Sequence, residues 1–174
     1  PEASRQAIAE ALGGIEGVTA STLPEVPLLS APSVGEILDA VDGTLISGDT
    51  ALLEREAESV LIGAMDVSHL LDHLKGGQLV IVPADRSAVL ISLAAAQASS
   101  TFPTLSGLVL NGGFDVAPHA LSIVKGLGLT LPIITSPMDT YAAASAAGSV
   151  KGYLATASKH KLDVAITAFE KEAD

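Results

Sequence analysis

Two short apolar runs, each closed by a polar signature, constrain this chain more than any other feature. Leu79-Val80-Ile81-Val82 runs into Pro83-Ala84-Asp85-Arg86-Ser87, and Leu108-Val109-Leu110 runs into Asn111-Gly112-Gly113-Phe114. Both runs are rich in branched residues and uninterrupted by charge, the pattern of a strand buried on both faces of a parallel sheet. A helix-like segment follows each. Open α/β sheets bind ligands beyond the carboxyl ends of their strands, so the two signatures mark the edge where a site is expected.

The same alternation runs through most of the chain. Strands are expected at 44–47, 59–64, 79–82, 107–110 and 131–135. Helices are expected at 34–40, 67–74, about 86–98, about 117–125, about 139–147 and about 158–172. Ser33 with Glu36 three residues on forms a capping-box pattern, Asp66 is placed to cap the next helix, and Gly43 and Gly76-Gly77 supply stops. Strands alternating with helices predict a three-layer α/β/α fold with a mostly parallel sheet. Upstream, residues 2–12 read as a helix and Val18–Thr22 as extended. Pro24, Pro27 and Pro32 then disfavour helix and mark a linker. The expected division is 1–32, a tail plus Pro-rich linker, and 33–174, the α/β domain.

Hydrophobic residues make up 48% of the 174 while aromatics make up 3%, so the core must be built from Leu, Ile, Val and Ala. No run approaches the ~20 apolar residues that span a bilayer, and no secretory signal is visible, so no membrane partner is expected. The chain starts at Pro1 and looks excised from something longer. Without cysteine there are no disulfides or thiolate metal sites, and a cytoplasmic location is the default expectation. A net charge of −11 argues against nucleic acid as a partner. Residues 33–74 carry nine acids against the single base Arg55, whereas residues 75–174 carry seven of each. That stretch reads as a solvated acidic face, or as a surface for a basic partner.

Asp85 or Ser87 is placed to cap the helix that follows, with Arg86 in a local ion pair. The alternative is an anion site, in which the helix N-terminus and the Arg86 guanidinium face a phosphate or carboxylate. Gly112 and Gly113 allow positive φ and close backbone approach, for a tight turn or for a ligand cradle. The candidate ligand-binding set is therefore Asp85, Arg86, Ser87, Asn111, Gly112 and Gly113. His69 and His73 share a helical face, but no third ligand is evident, so neither a metal nor a cofactor is expected. Phosphate-loop and nucleophile-elbow patterns do not occur. Gly126-Leu127-Gly128-Leu129 lacks the third glycine of a dinucleotide fingerprint and precedes a strand. An enzyme using Asp85 as base and Arg86 as stabiliser would lack a nucleophile, a metal and a cofactor loop. Ala runs at 94–96 and 142–147 suit close helix packing or a subunit interface.

The Asp85-Arg86 pair with Asn111-Gly112-Gly113 on the next strand resembles the DRTGG domain, named for an Asp-Arg pair and a later Thr-Gly-Gly. Asn111 departs from that pattern by standing where the family has Thr. Val60 through Phe114 looks like the middle region of the long, multidomain phosphate acetyltransferases of bacteria, and Leu28–Val34 resembles the segment joining it to a preceding domain. The resemblance covers about residues 23–174, and residues 1–22 look like the tail of that domain. It implies a non-catalytic regulatory and oligomer-supporting role. Catalysis of acetyl transfer between coenzyme A and phosphate would lie in a domain C-terminal to this region, and no catalytic residue carries over. It also implies self-association as a dimer, contact with other domains of the parent, and response to an anionic metabolite. A ligand-sensing DRTGG module of another multidomain protein is the competing reading.

Overall fold

Along the central strands, successive side chains leave the sheet on opposite faces, and both faces are covered. Val80, Val82, Leu108, Leu110 and Ile133 pack into one core with Leu70, Leu90, Leu93 and Val124. Leu79, Ile81, Val109 and Ile134 pack into another with Val34, Ile37, Ala143 and Ala147. This is the two-residue period of a strand read into two layers of helix. The four side chains from Leu79 to Val82 are fully excluded from solvent. Each contributes roughly 1.5–3 kcal/mol relative to an exposed position.

The structure, a computed structural model, describes residues 7, 8, 10–12, 26–152 and 158–172. Its elements are α1 Pro27–Ser30, α2 Val34–Ala40, β1 Thr44–Ser47, a 3-10 turn Thr50–Glu54, β2 Ser59–Ile62, α3 Val67–Asp72, β3 Gln78–Pro83, α4 Ser87–Ala98, β4 Gly107–Asn111, α5 Pro118–Gly126, β5 Ile133–Thr135, α6 Thr140–Ser149 and α7 Lys159–Glu172. The sheet order is β1-β5-β4-β3-β2. β2, β3, β4 and β5 are parallel, and β1 closes one edge antiparallel to β5. Helices α3, α4 and α5 lie over one face and α2 and α6 over the other, giving the three layers the alternation predicts.

Local chemistry accounts for most boundaries. Ser33 Oγ accepts from the Glu36 amide at 3.1 Å while a Glu36 carboxylate oxygen accepts from the Ser33 amide at 2.8 Å, so the capping box forms. Asp66 accepts from the Ser68 amide and opens α3 as expected. Three expectations need correction. The strands placed at 59–64 and 131–135 are shorter, 59–62 and 133–135. The Ala64 amide turns back to Ile62 O at 2.9 Å, which takes the chain out of the ladder. The Pro-rich stretch contains one helical turn, α1, which tolerates Pro27 because the first helical position needs no N–H donor. The extended segment expected at Val18–Thr22 lies outside the described residues.

Candidate functional site

The two signatures meet at one sheet edge. Pro83 pairs with Asn111 in the β3–β4 register, and the Ala84 amide continues the ladder to Asn111 O at 2.9 Å. The strands that carry them are neighbours in the middle of the sheet, so Asp85, Arg86, Asn111 and Gly112 line one cavity of about 490 Å³. Ser87 and Gly113 fall outside that lining.

Arg86 works first on its own backbone surroundings. Its Nη1 donates to Gly63 O at 2.6 Å and its Nη2 to Met65 O at 3.0 Å. The guanidinium thereby fastens the loop after β2 to the start of α4, with carbonyls from a segment that has left the sheet. Arg86 itself occupies the N-cap position of α4 and makes no side-chain cap there. This corrects the expectation that Asp85 or Ser87 caps the helix and that Arg86 pairs locally. The Ser87 amide bonds to the Asp85 carbonyl at 3.0 Å, and Asp85 is an exposed residue on the lining of the cavity.

Asn111 is a buried connector, only 1% exposed. In the orientation that satisfies both ends of its amide, the oxygen accepts from Thr140 Oγ1 at 2.9 Å and Thr140 N at 3.0 Å. The nitrogen then donates to Val82 O at 3.0 Å. One side chain thus joins β3 to the first residue of α6. An amide does this because it carries both donor and acceptor; the hydroxyl of the family's Thr is a shorter connector.

The glycine pair is also committed. The Gly112 amide donates to Met138 O at 2.7 Å and the Gly113 amide to Ser136 O at 3.1 Å. Both residues have positive φ, +101° and +68°, which makes this the tight strand-to-loop turn and leaves neither amide to cradle an anion. Gly112 has a second role. A Cβ there would come within 2.7 Å of Phe114 Cε2, so the missing side chain makes room for the Phe114 ring.

Phe114 lines the 490 Å³ cavity and also a larger one of about 790 Å³ on its other side. Sequence reasoning missed the remaining walls. Pro137, Asp139 and Thr140 come from the turn between β5 and α6. Ser136-Pro137-Met138-Asp139-Thr140 follows a strand and opens a helix, so the rule that marked the other two signatures marks this one too. Asp139 caps α6 by accepting from the Ala142 amide at 2.8 Å. The smaller cavity is thus faced by two carboxylates, Asp85 and Asp139, and one guanidinium. His73 Nδ1 lies 2.7 Å from the His69 carbonyl, so this pair is engaged within its own helix. Among the described residues no group of three or more His, Asp or Glu is arranged to hold a metal ion, and no helix is long and apolar enough to cross a membrane.

A three-layer α/β domain with strand-end signatures facing a cleft is the class that the geometry defines. The family follows from comparison with known proteins: the DRTGG domain model matches residues 36–150, and the chain belongs to that family. It is 28% identical over 153 residues to a phosphate acetyltransferase of Nitratidesulfovibrio vulgaris, covering 87% of this chain and 22% of that one. It is 23% identical over 170 residues to a phosphate acetyltransferase of Synechocystis, covering 97% of this chain and 24% of that one. The chain therefore spans less than a quarter of the length of these relatives. Its fold is similar to the CBS and DRTGG domains of the regulatory region of Clostridium perfringens pyrophosphatase, a structure complexed with the activator diadenosine tetraphosphate. That match has a TM-score of 0.54 at 18% identity and covers 97% of this chain and 69% of that one.

Proposed function

We propose that this chain is a non-catalytic regulatory and oligomer-supporting domain of a phosphate acetyltransferase, divided into a tail and linker at 1–32 and the DRTGG domain at 33–174. One observation carries the reading: nearly the whole chain aligns to phosphate acetyltransferases while occupying about a quarter or less of their length. The parent converts acetyl-CoA and phosphate to acetyl phosphate and CoA in the cytoplasm, and this segment supplies none of the reacting groups. Its contribution is a cleft at the carboxyl edge of β3 and β4, where Asp85, Arg86, Asn111 and Gly112 face a metabolite bearing an anionic group. The guanidinium has five N–H donors, of which two are spent on the Gly63 and Met65 carbonyls, so the others are available to a ligand. A second reading, a ligand-sensing DRTGG module of another protein, is supported by the regulatory pyrophosphatase region that shares the fold.

The test combines three measurements on the purified chain. It should form no acetyl phosphate from acetyl-CoA and phosphate; saturable turnover overturns the non-catalytic reading. Light scattering should give a dimer at micromolar concentration, and a mass of 17.5 kDa at all concentrations removes the self-association of the segment. Calorimetry with acetyl phosphate, pyruvate, phosphoenolpyruvate, ATP and NADH should find a ligand whose binding weakens in Arg86→Lys and more so in Arg86→Ala. Binding by none of them, or unchanged binding in folded variants, makes Arg86 a structural clasp alone.

A further inference from the structure

The 790 Å³ cavity beyond Phe114 differs in chemistry from its smaller neighbour. It lies where the carboxyl end of β5 meets the amino end of the antiparallel β1, and Thr44 pairs with Thr135 across that junction. Ile46, Val116 and Leu121 supply aliphatic wall. Two carboxylates, Asp42 and Asp115, line it, and none of its lining residues is a lysine, arginine or histidine. The hydroxyl of Ser136, which also lines it, is spent on Val41 O at 2.6 Å. Phe114 stands at its side with the ring half exposed.

That ring is held in place by the backbone. The positive-φ Gly112 leaves the space the ring occupies, and the Gly113 amide ties the next residue to Ser136 O at 3.1 Å. Asp42 is fixed as well. It is the left-handed residue (φ 50°) that ends α2, where the Gly43 amide closes on Leu38 O at 2.8 Å. An aromatic face and carboxylates on otherwise apolar walls are the complement of an ammonium group on an apolar body. The same carboxylates, both on exposed residues, repel an anion and attract a cation at close range.

We propose that this cavity is a second ligand site, specific for a small organic amine: the ammonium faces Asp42, Asp115 and the Phe114 ring, and the apolar body lies against Ile46, Val116 and Leu121. The site is separate from the Arg86 cleft and does not depend on that cleft binding anything. Its lining includes neither Arg86 nor Asn111.

Three probes of one shape test it, namely phenethylamine, 2-phenylethanol and 3-phenylpropionate, titrated into isotopically labelled protein and followed by amide chemical shifts. Phenethylamine should saturate shifts at Thr44, Phe114, Asp115 and Val116, with the alcohol weaker and the carboxylate about tenfold or more weaker than the amine. Asp42→Asn keeps a residue that tolerates the left-handed conformation and removes one charge, and Asp115→Asn removes the other. Both should narrow the gap between amine and carboxylate, while Phe114→Ala should weaken the amine. The Arg86→Lys variant should leave amine binding unchanged even where it weakens an anion in the neighbouring cleft. Absence of saturable shifts at these residues with phenethylamine overturns the proposal. So does carboxylate binding as tight as the amine, or an amine preference untouched by both Asp→Asn changes in folded protein.

Discussion

At position 112 two demands coincide on one residue. The backbone sits at φ +101°, where an L side chain is strained, and the direction a Cβ would take is already filled by the Phe114 ring, 2.7 Å away at Cε2. Ala at 112 must therefore pay for the backbone and displace the ring. Gly112→Ala should lose about 1–3 kcal/mol in urea unfolding. Its Phe114 ring resonances should move, while amides in α2 stay put. A variant as stable as the wild type would show that the turn relaxes freely. Gly113 differs, because a Cβ there would meet nothing closer than Pro137 O at 3.5 Å, so only the backbone term applies to it. Such a division of labour within one Gly-Gly pair cannot be read from sequence. Two glycines there signal a turn, but the ring above the first is set by the fold.

Among the elements, caps and burial patterns were legible because they are local. Ser33 with Glu36, Asp66 before α3 and the uncharged runs of β3 and β4 each carry their instruction within a few residues. The missing α4 cap shows where locality fails. Asp85 and Ser87 have the right chemistry at the right place, yet Arg86 is drawn to carbonyls at Gly63 and Met65, more than 20 residues upstream. The antiparallel placement of β1 beside β5 is likewise a long-range pairing, in a chain whose other ladders are parallel. Asp66 gives an element-scale prediction. The Ser68 amide, then the Ser68 hydroxyl, donate to its carboxylate and hold its pKa below the ordinary value. A carboxyl with a lowered folded pKa adds stability above its unfolded pKa and loses it as pH falls through the folded value. The Ser68 amide shift should therefore titrate with a midpoint below that of a free Asp side chain. Asp66→Asn keeps a capping oxygen but not the charge, and should remove that titration and flatten the acid limb of the stability curve. A midpoint at or above the ordinary Asp value would contradict the hydrogen bonding described for this cap.

Over the whole molecule, the last helix is fastened to the segment that precedes the sheet. Lys161 on α7 is 2% exposed, and its Nζ donates to Ala31 O at 2.6 Å in the segment that precedes the sheet. Beside it the Ser158 hydroxyl bonds to the Glu56 carboxylate, and the Gly152 amide donates to Ser30 O at 3.0 Å. Gly152 packs so closely that any Cβ would collide with the Ala31 carbonyl. A buried ammonium is costly unless its donors are met, so these contacts stand or fall together. Most of α7 beyond the latch is exposed, including Leu162, Ile166 and Phe169, so it adds little core of its own. Lys161→Met fills the same volume and strands the Ala31 carbonyl. Gly152→Ala attacks the same joint from the other side. Both should speed hydrogen exchange in residues 27–32 and 159–172, by about tenfold or more if one bond of ~1.4 kcal/mol is lost. Exchange in β3 and β4 should hold, because their hydrogen bonds open only with the sheet. If β3 and β4 lose protection in step with α7, the helix is part of the global folding unit and the joint is not a separable latch. If α7 keeps its protection in both variants, the Lys161 contact does not hold it.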